Sequence, residues 1–175
     1  YLTQTLNSCE SLRTAVQITV TTTPIATANA QTFCNSATVS NLVATGSNIK
    51  WYLTSTGGTA LTPTDAVFTG TYYVTQTIAG CESPTRTGVN ITVNAIPQPT
   101  ASAQTFCNSA TVSNLVATGT AIKWYNVLSG GTALVSTTPL TSGTYYVTQT
   151  LLGCESATRT AVSVTLNTTT APTAL

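Results

Sequence analysis

The chain has 175 residues, of which 5% are charged and none is histidine, and its formal net charge is +1. So weak a charge excludes the basic surface that nucleic acid or an anionic membrane requires. The missing imidazole excludes Ser-His-Asp and Cys-His catalysis and any histidine metal site, and the four acids Glu10, Asp65, Glu82 and Glu155 are too scattered for a calcium cage or a glycosidase pair.

Residues 1–20 (YLTQTLNSCESLRTAVQITV) align with residues 73–93, with one residue lost between Glu10 and Arg13. They are expected to form the last hairpin of a truncated module, so that the chain is a window on a longer array. Residues 31–94 return without a gap at 104–167, with 44 of 64 positions identical. A tandem array this regular points to a scaffold whose property is length rather than to one catalytic pocket. The full modules are placed at 21–94 and 95–170, and 171–175 begin the next linker.

Within a module the apolar residues alternate with period two and show no helical period, and the commonest residue, Thr at 42 of 175, favours strands. In the first module, strands are expected at residues 25–33 (A), 37–44 (B) and 48–53 (C). Short edge strands follow at 59–61 and 66–68, then 71–78 (F) and 86–93 (G). Turns fall at Gly46, Gly57-Gly58, Gly70 and Gly80, and again at Gly119, Gly130-Gly131, Gly143 and Gly153. Seven short strands at this spacing predict an all-β sandwich. The linkers at 21–24 and 94–99 carry Pro and are expected to be stiff. No apolar run is long enough to span a bilayer, so no membrane insertion is expected of this segment.

Two local signals sharpen the sandwich. Each module has one Trp, in IKWY at 49–52 and 122–125, with Ile and Trp sharing one face and Lys and Tyr the other. Trp51 and Trp124 are therefore core markers. The second signal is VFTGTYY at 67–73 and LTSGTYY at 140–146, where Tyr72 and Tyr145 have the setting of a tyrosine corner.

The series Cys, a Thr/Val/Leu strand, IKWY, GGT-x-L, GTYYVTQT and GCES resembles the immunoglobulin-like tandem repeats of giant Bacteroidota cell-surface proteins. That group includes gliding-motility adhesins exported by type 9 secretion. The resemblance covers both modules and the N-terminal fragment. It implies an extracellular, cell-surface location, adhesion or spacing, and no enzymatic activity; the repeat period itself gives head-to-tail modules of about 73 residues, and the residue types lead to no expected cofactor or metal.

Five cysteines are Cys34 and Cys81, Cys107 and Cys154, and Cys9 in the fragment. In such a sandwich Cys34 lies at the A–B corner and Cys81 at the F–G hairpin, at opposite ends of the module. Seven residues of strand F separate them by roughly 20 Å, whereas a disulfide needs Cα atoms within about 7 Å. The favoured bond is therefore Cys34–Cys154, between modules. Cys9, Cys81 and Cys107 would then pair outside this window or stay unpaired. The alternative is Cys34–Cys81 with Cys107–Cys154, within modules.

Glu82 and Arg86 recur as Glu155 and Arg159 beside the hairpin cysteine, with Glu10 and Arg13 in the fragment. They read either as a cross-hairpin ion pair or as a polar latch at the junction. Lys50, Tyr52 and Tyr73, with Thr75, should point outward, as should Lys123, Tyr125, Tyr146 and Thr148. This patch reads as a ladder of cross-strand pairs or as a platform that stacks on sugars. The function expected is a structural stalk or filament segment of a large adhesin, a load-bearing spacer with disulfide stapling. A carbohydrate-binding array on a secreted protein is the alternative. The expected partners are neighbouring repeats, with surface glycans or lateral self-association as further options.

Overall fold

The computed structural model describes residues 1–169. It is all-β apart from two single 3₁₀ turns, at Val39–Asn41 and Val112–Asn114. The expected linker start at 171–175 and residue 170 lie outside the described residues.

The fragment forms a hairpin of β1 (Thr5–Leu6) and β2 (Cys9–Glu10), closed below by a bridge between Leu2 and Thr14. Beyond it the chain runs without strands to residue 30, apart from a bridge at Thr27. Ile18 is 82% exposed, whereas its aligned partner Ile91 is 2% exposed. The difference has a plain cause: among the described residues no layer packs over Ile18.

The first module contains β3 (Gln31–Cys34), β4 (Ala37–Thr38), β5 (Lys50–Tyr52), β6 (Ala66–Val67), β7 (Gly70–Thr75), β8 (Thr77–Ile78), β9 (Cys81–Glu82) and β10 (Thr87–Asn94). Its main sheet has the order β3-β10-β7-β5. The β3–β10 pair is parallel and the other pairs are antiparallel. The second module repeats this with β11 (Gln104–Cys107), β12 (Lys123–Tyr125), β13 (Gly143–Thr148), β14 (Thr150–Leu151), β15 (Cys154–Glu155) and β16 (Thr160–Asn167), in the order β11-β16-β13-β12.

The opposite layer is thinner than seven strands would make it. The expected A strand shrinks to β3, which leaves this layer and joins the main sheet beside β10. Strand B ends after Thr38 because Asn41 Oδ1 accepts the Thr38 N–H at 2.8 Å and Leu42 N–H bonds back to Val39 O at 3.0 Å. An Asn placed so near its own backbone competes with the ladder and turns the chain. Residues 59–61 form no strand and hold the edge through one bond, Leu61 N–H to Trp51 O at 2.8 Å. In the second module Pro139 stands where Ala66 pairs in the first, and the β4–β6 ladder is reduced to a Thr111–Pro139 bridge. A proline has no N–H to give.

The core lies between the main sheet and this thin layer. Trp51, Tyr72, Val74, Val89 and Ile91 come from the sheet; Ala26, Ala37, Val39, Leu42 and Val67 come from the other side. Trp124, Tyr145, Val147, Val162 and Val164 repeat the sheet side, with Val112, Leu115 and Leu140 opposite. The corner tyrosines sit as expected. Tyr72 Oη accepts the Phe68 N–H at 3.0 Å, and Tyr145 Oη accepts the Thr141 N–H at 3.1 Å. Each bond ties the start of a long strand to the connection that enters it.

The expected F strand is broken at Gln76. Up to Thr75 it pairs within the main sheet; from Thr77 it pairs with β9 instead, forming a separate two-residue hairpin. That change of partner carries the cysteine of each module away from the sheet.

Candidate functional site at the module junction

The hairpin turn of each module takes two residues with positive φ: Ala79 (49°) and Gly80 (80°), Leu152 (53°) and Gly153 (76°). This is the twist that closes a two-residue hairpin. It leaves the next residue, Cys81 or Cys154, at the far end of the module. At the other end, β3 finishes at Cys34, and Asn35 turns the chain with φ 64°.

The structure joins these two features across the junction. Cys34 is bonded to Cys154, with Cα atoms 5.3 Å apart and a sequence separation of 120. The within-module pairing is not formed, and Cys9, Cys81 and Cys107 are free and exposed. Bonding buries Cys154 to 3% exposure, while its aligned partner Cys81 stays exposed.

Asn35 supplies a second tie. Its Oδ1 accepts the N–H of Ile96 in the linker at 3.2 Å, and its Nδ2 donates to the Glu155 carbonyl at 2.9 Å. One side chain thus fixes the upstream corner, the linker and the downstream hairpin together. Ile96 is buried in the same place.

Behind the hairpin lies a carboxylate cluster. Glu155 receives Lys123 Nζ at 2.7 Å on one oxygen, and Tyr125 Oη and Thr148 Oγ1, both at 2.7 Å, on the other. Glu82 is held in the same way by Lys50, Tyr52 and Thr75. Hydrogen bonds from Lys50, Tyr52 and Thr75 hold the Glu82 carboxyl down at about 2. Burial pushes Glu155 up, but the donors Lys123, Thr148 and Tyr125 together outweigh it and bring it to about 2 as well. The ammonium of Lys50 is raised in turn, first by its hydrogen bond to Glu82.

The expected Glu82–Arg86 ion pair is absent, and the correction has a geometric reason. Lys50 reaches Glu82 across the sheet, and Arg86 lies on the other side of Tyr52, 3.4 Å from its ring centroid. Arg86 Nη1 donates to Thr54 O at 2.6 Å, and Arg159 does the same over Tyr125 to Val127 O. Tyr52 and Tyr125 do lie on the face opposite Trp51 and Trp124. Each is only 5% exposed, covered by the arginine and the hairpin. The expected sugar-stacking platform at Tyr52 and Tyr125 is therefore corrected: no open ring face remains. Tyr73 and Tyr146 are half-buried, and Lys50 and Lys123 keep their stems in water.

Two buried glutamines were not visible as site residues in the sequence. Gln76 Nε2 donates to Pro24 O at 2.9 Å and its Oε1 accepts Ser47 N–H at 3.0 Å; Gln149 repeats this with Pro97 O and Thr120 N–H. They fasten each linker to its module. Gly119 leaves the room: a Cβ there would meet Gln149 Oε1 at 2.8 Å. The signal was the Gln in VTQT, a polar residue just where the strand leaves its sheet.

Among the described residues no three His, Cys, Asp or Glu side chains cluster to hold a metal. A shallow groove recurs between residues 27–31 and 43–45 and between 100–104 and 116–118, lined by Thr, Ala, Val, Gln, Asn and Ser without an ionisable group. Among the described residues no helix is long and apolar enough to cross a membrane.

A domain family described as "Ig-like domain CHU_C associated" matches residues 22–95 and again 95–167. No curated protein matches the chain. Among solved structures, the titin domains Z1Z2 in complex with telethonin align at 14% identity and a TM-score of 0.25, over 86% of this chain and 100% of that one. Extracellular domains 3–5 of Drosophila OTK align at 12% identity and a TM-score of 0.20, over 79% of this chain and 62% of that one.

Proposed function

From the premise that the chain belongs to the Ig-like, CHU_C-associated domain family, we propose that it is a load-bearing spacer: a stalk or filament segment of a large adhesin displayed outside the cell. The observation that carries this reading is the covalent Cys34–Cys154 bond between successive modules. Disulfides persist in oxidising, extracytoplasmic settings. A bond between modules fixes their relative position, which serves a strut and does nothing for an isolated binding domain. The partners in this reading are neighbouring repeats of the same chain.

The carbohydrate-binding alternative is the weaker reading, because the rings it would need are covered by Arg86 and Arg159. Gliding motility and type 9 export remain parts of the resemblance.

The test is mechanical. The chain is pulled by its ends in a single-molecule experiment, oxidised and then reduced. The bond closes a loop of 120 residues, which would lengthen the extended chain by roughly 400 Å at about 3.4 Å per residue. The oxidised chain should fall short by that length and the reduced chain should recover it. Equal extensions in both states would overturn the load-bearing role.

A further inference from the structure

The junction between the modules is built from two parts, a corner (Cys34-Asn35) and a hairpin (Cys154-Glu155), and the chain carries one more corner and two more hairpins, at Cys81 and, in the fragment, at Cys9. The corner recurs as CNSATVS at 107–113, identical to 34–40. The hairpin cysteine recurs at Cys81, followed by the same Glu-Ser as Cys154. Cys81 and Cys107, like Cys9, are free and exposed.

We propose that Cys107-Asn108 and Cys81-Glu82 are unfilled halves of this junction, one corner and one hairpin, and that each receives a further Ig-like module of the same kind. The corner takes the hairpin of a following module; the hairpin takes the corner of a preceding one. This goes beyond the spacer role, since it fixes which partner each end accepts and in what direction.

Both halves are already shaped as in the filled junction. Asn108 has φ 64°, as Asn35 has, and its N–H donates to Asn167 O as that of Asn35 does to Asn94 O. Asn108 Oδ1 accepts Thr169 N–H at 3.0 Å, at the same spacing at which Asn35 accepts Ile96. At the other end, the carboxylate of Glu82 is held by Lys50, Tyr52 and Thr75 as Glu155 is by its counterparts. The turn and the side-chain bonds of each half match those of the filled junction.

The consequence is a covalent layout of overlapping loops. Each module would hold one bond to the module before it and one to the module after it, and none within itself. The shortest covalent path then runs from hairpin cysteine back to corner cysteine, 47 residues in each module (Cys34 to Cys81, Cys107 to Cys154), instead of through the full repeat of 73. Strand β10, the linker and β11 lie outside that path. Full tension would bypass the linker, and a cut in it would not sever the array.

Two lengthened chains test the two ends separately. In the first, a copy of residues 95–167 follows residue 167; in the second, a copy of residues 22–72 precedes Tyr1 and completes the module to which residues 1–20 align. Peptides are mapped without reduction after alkylation of free thiols. The first chain should link Cys107 to the hairpin cysteine of the added copy and keep Cys34–Cys154. The second should link Cys81 to the corner cysteine of the added copy. A spare cysteine that remains alkylatable in its lengthened chain, or an added cysteine bonded within its own module, overturns the proposal. As a control, the first chain is made with serine at the added hairpin cysteine; Cys107 should then be fully alkylated, and a blocked Cys107 would show another partner and overturn it too.

Discussion

The side-chain amide of Asn35 donates across the junction to the backbone carbonyl of Glu155, at 2.9 Å. Its carbonyl end is occupied by Ile96, so the two ends of one amide do different work. Asn35→Asp keeps the acceptor for Ile96 and tolerates the positive φ, but removes the donor and sets a carboxylate against the Glu155 carbonyl. A hydrogen bond of this kind contributes about 1 kcal/mol. The variant should make Cys34–Cys154 several-fold easier to reduce, read by a glutathione titration with alkylation. An unchanged midpoint would remove Asn35 from the junction.

Few other contacts span the joint, and this sets the outcome of removing the disulfide. Cys34→Ser should leave each module folded, because each core is its own cluster. The joint should loosen instead. Small-angle scattering is expected to show a broader distribution of inter-domain distances, while the circular dichroism of the modules is retained. A variant with the scattering profile of the parent would mean that the linker alone fixes the angle.

Acid should weaken both modules in a defined window. Glu82 and Glu155 are depressed from 4.5 to about 2 in the folded chain. A carboxyl whose folded value lies below its unfolded value stabilises above the unfolded value and loses that contribution as protons bind. The contribution is therefore full at neutral pH and fades between about pH 4.5 and 2. In Glu82→Gln with Glu155→Gln the thermal midpoint should be lower at pH 7 and nearly flat across that window. A parallel slope in parent and variant would assign acid sensitivity elsewhere.

The sheet side of each module was legible because alternation places Trp51, Tyr72 and Val74 on one face without ambiguity. The thin side was not. Thr38 and Asn41 read as strand residues until the Asn carbonyl is seen to take the Thr38 N–H, a local competition that periodicity does not register. At the site, the position of Cys34 and Cys154 at facing ends followed from topology. The charge pairing did not. Glu82 and Arg86 are close in sequence, yet Lys50, distant in sequence, lies beside the carboxylate across the sheet. Proximity along a chain is a poor guide once strands bring remote residues to one face.

Leu152 offers the last prediction, on the turn that presents the bonded cysteine. It holds φ 53° and stays 72% exposed, so a bulky side chain sits in a left-handed conformation with no packing to offset it. Such a residue costs on the order of 1 kcal/mol relative to one that accepts this region. The fragment shows the alternative in the same turn, where Asn7 takes φ 50°. Leu152→Asn should therefore raise the thermal midpoint of the second module by a few degrees and slow amide exchange in the β14–β15 hairpin, whose backbone it relaxes. Because the cysteine bonded to Cys34 lies two residues on, the same change should also make the disulfide harder to reduce. A stabilised hairpin with an unchanged reduction midpoint would separate the turn from the junction and place the strength of the bond in Asn35 and the linker alone.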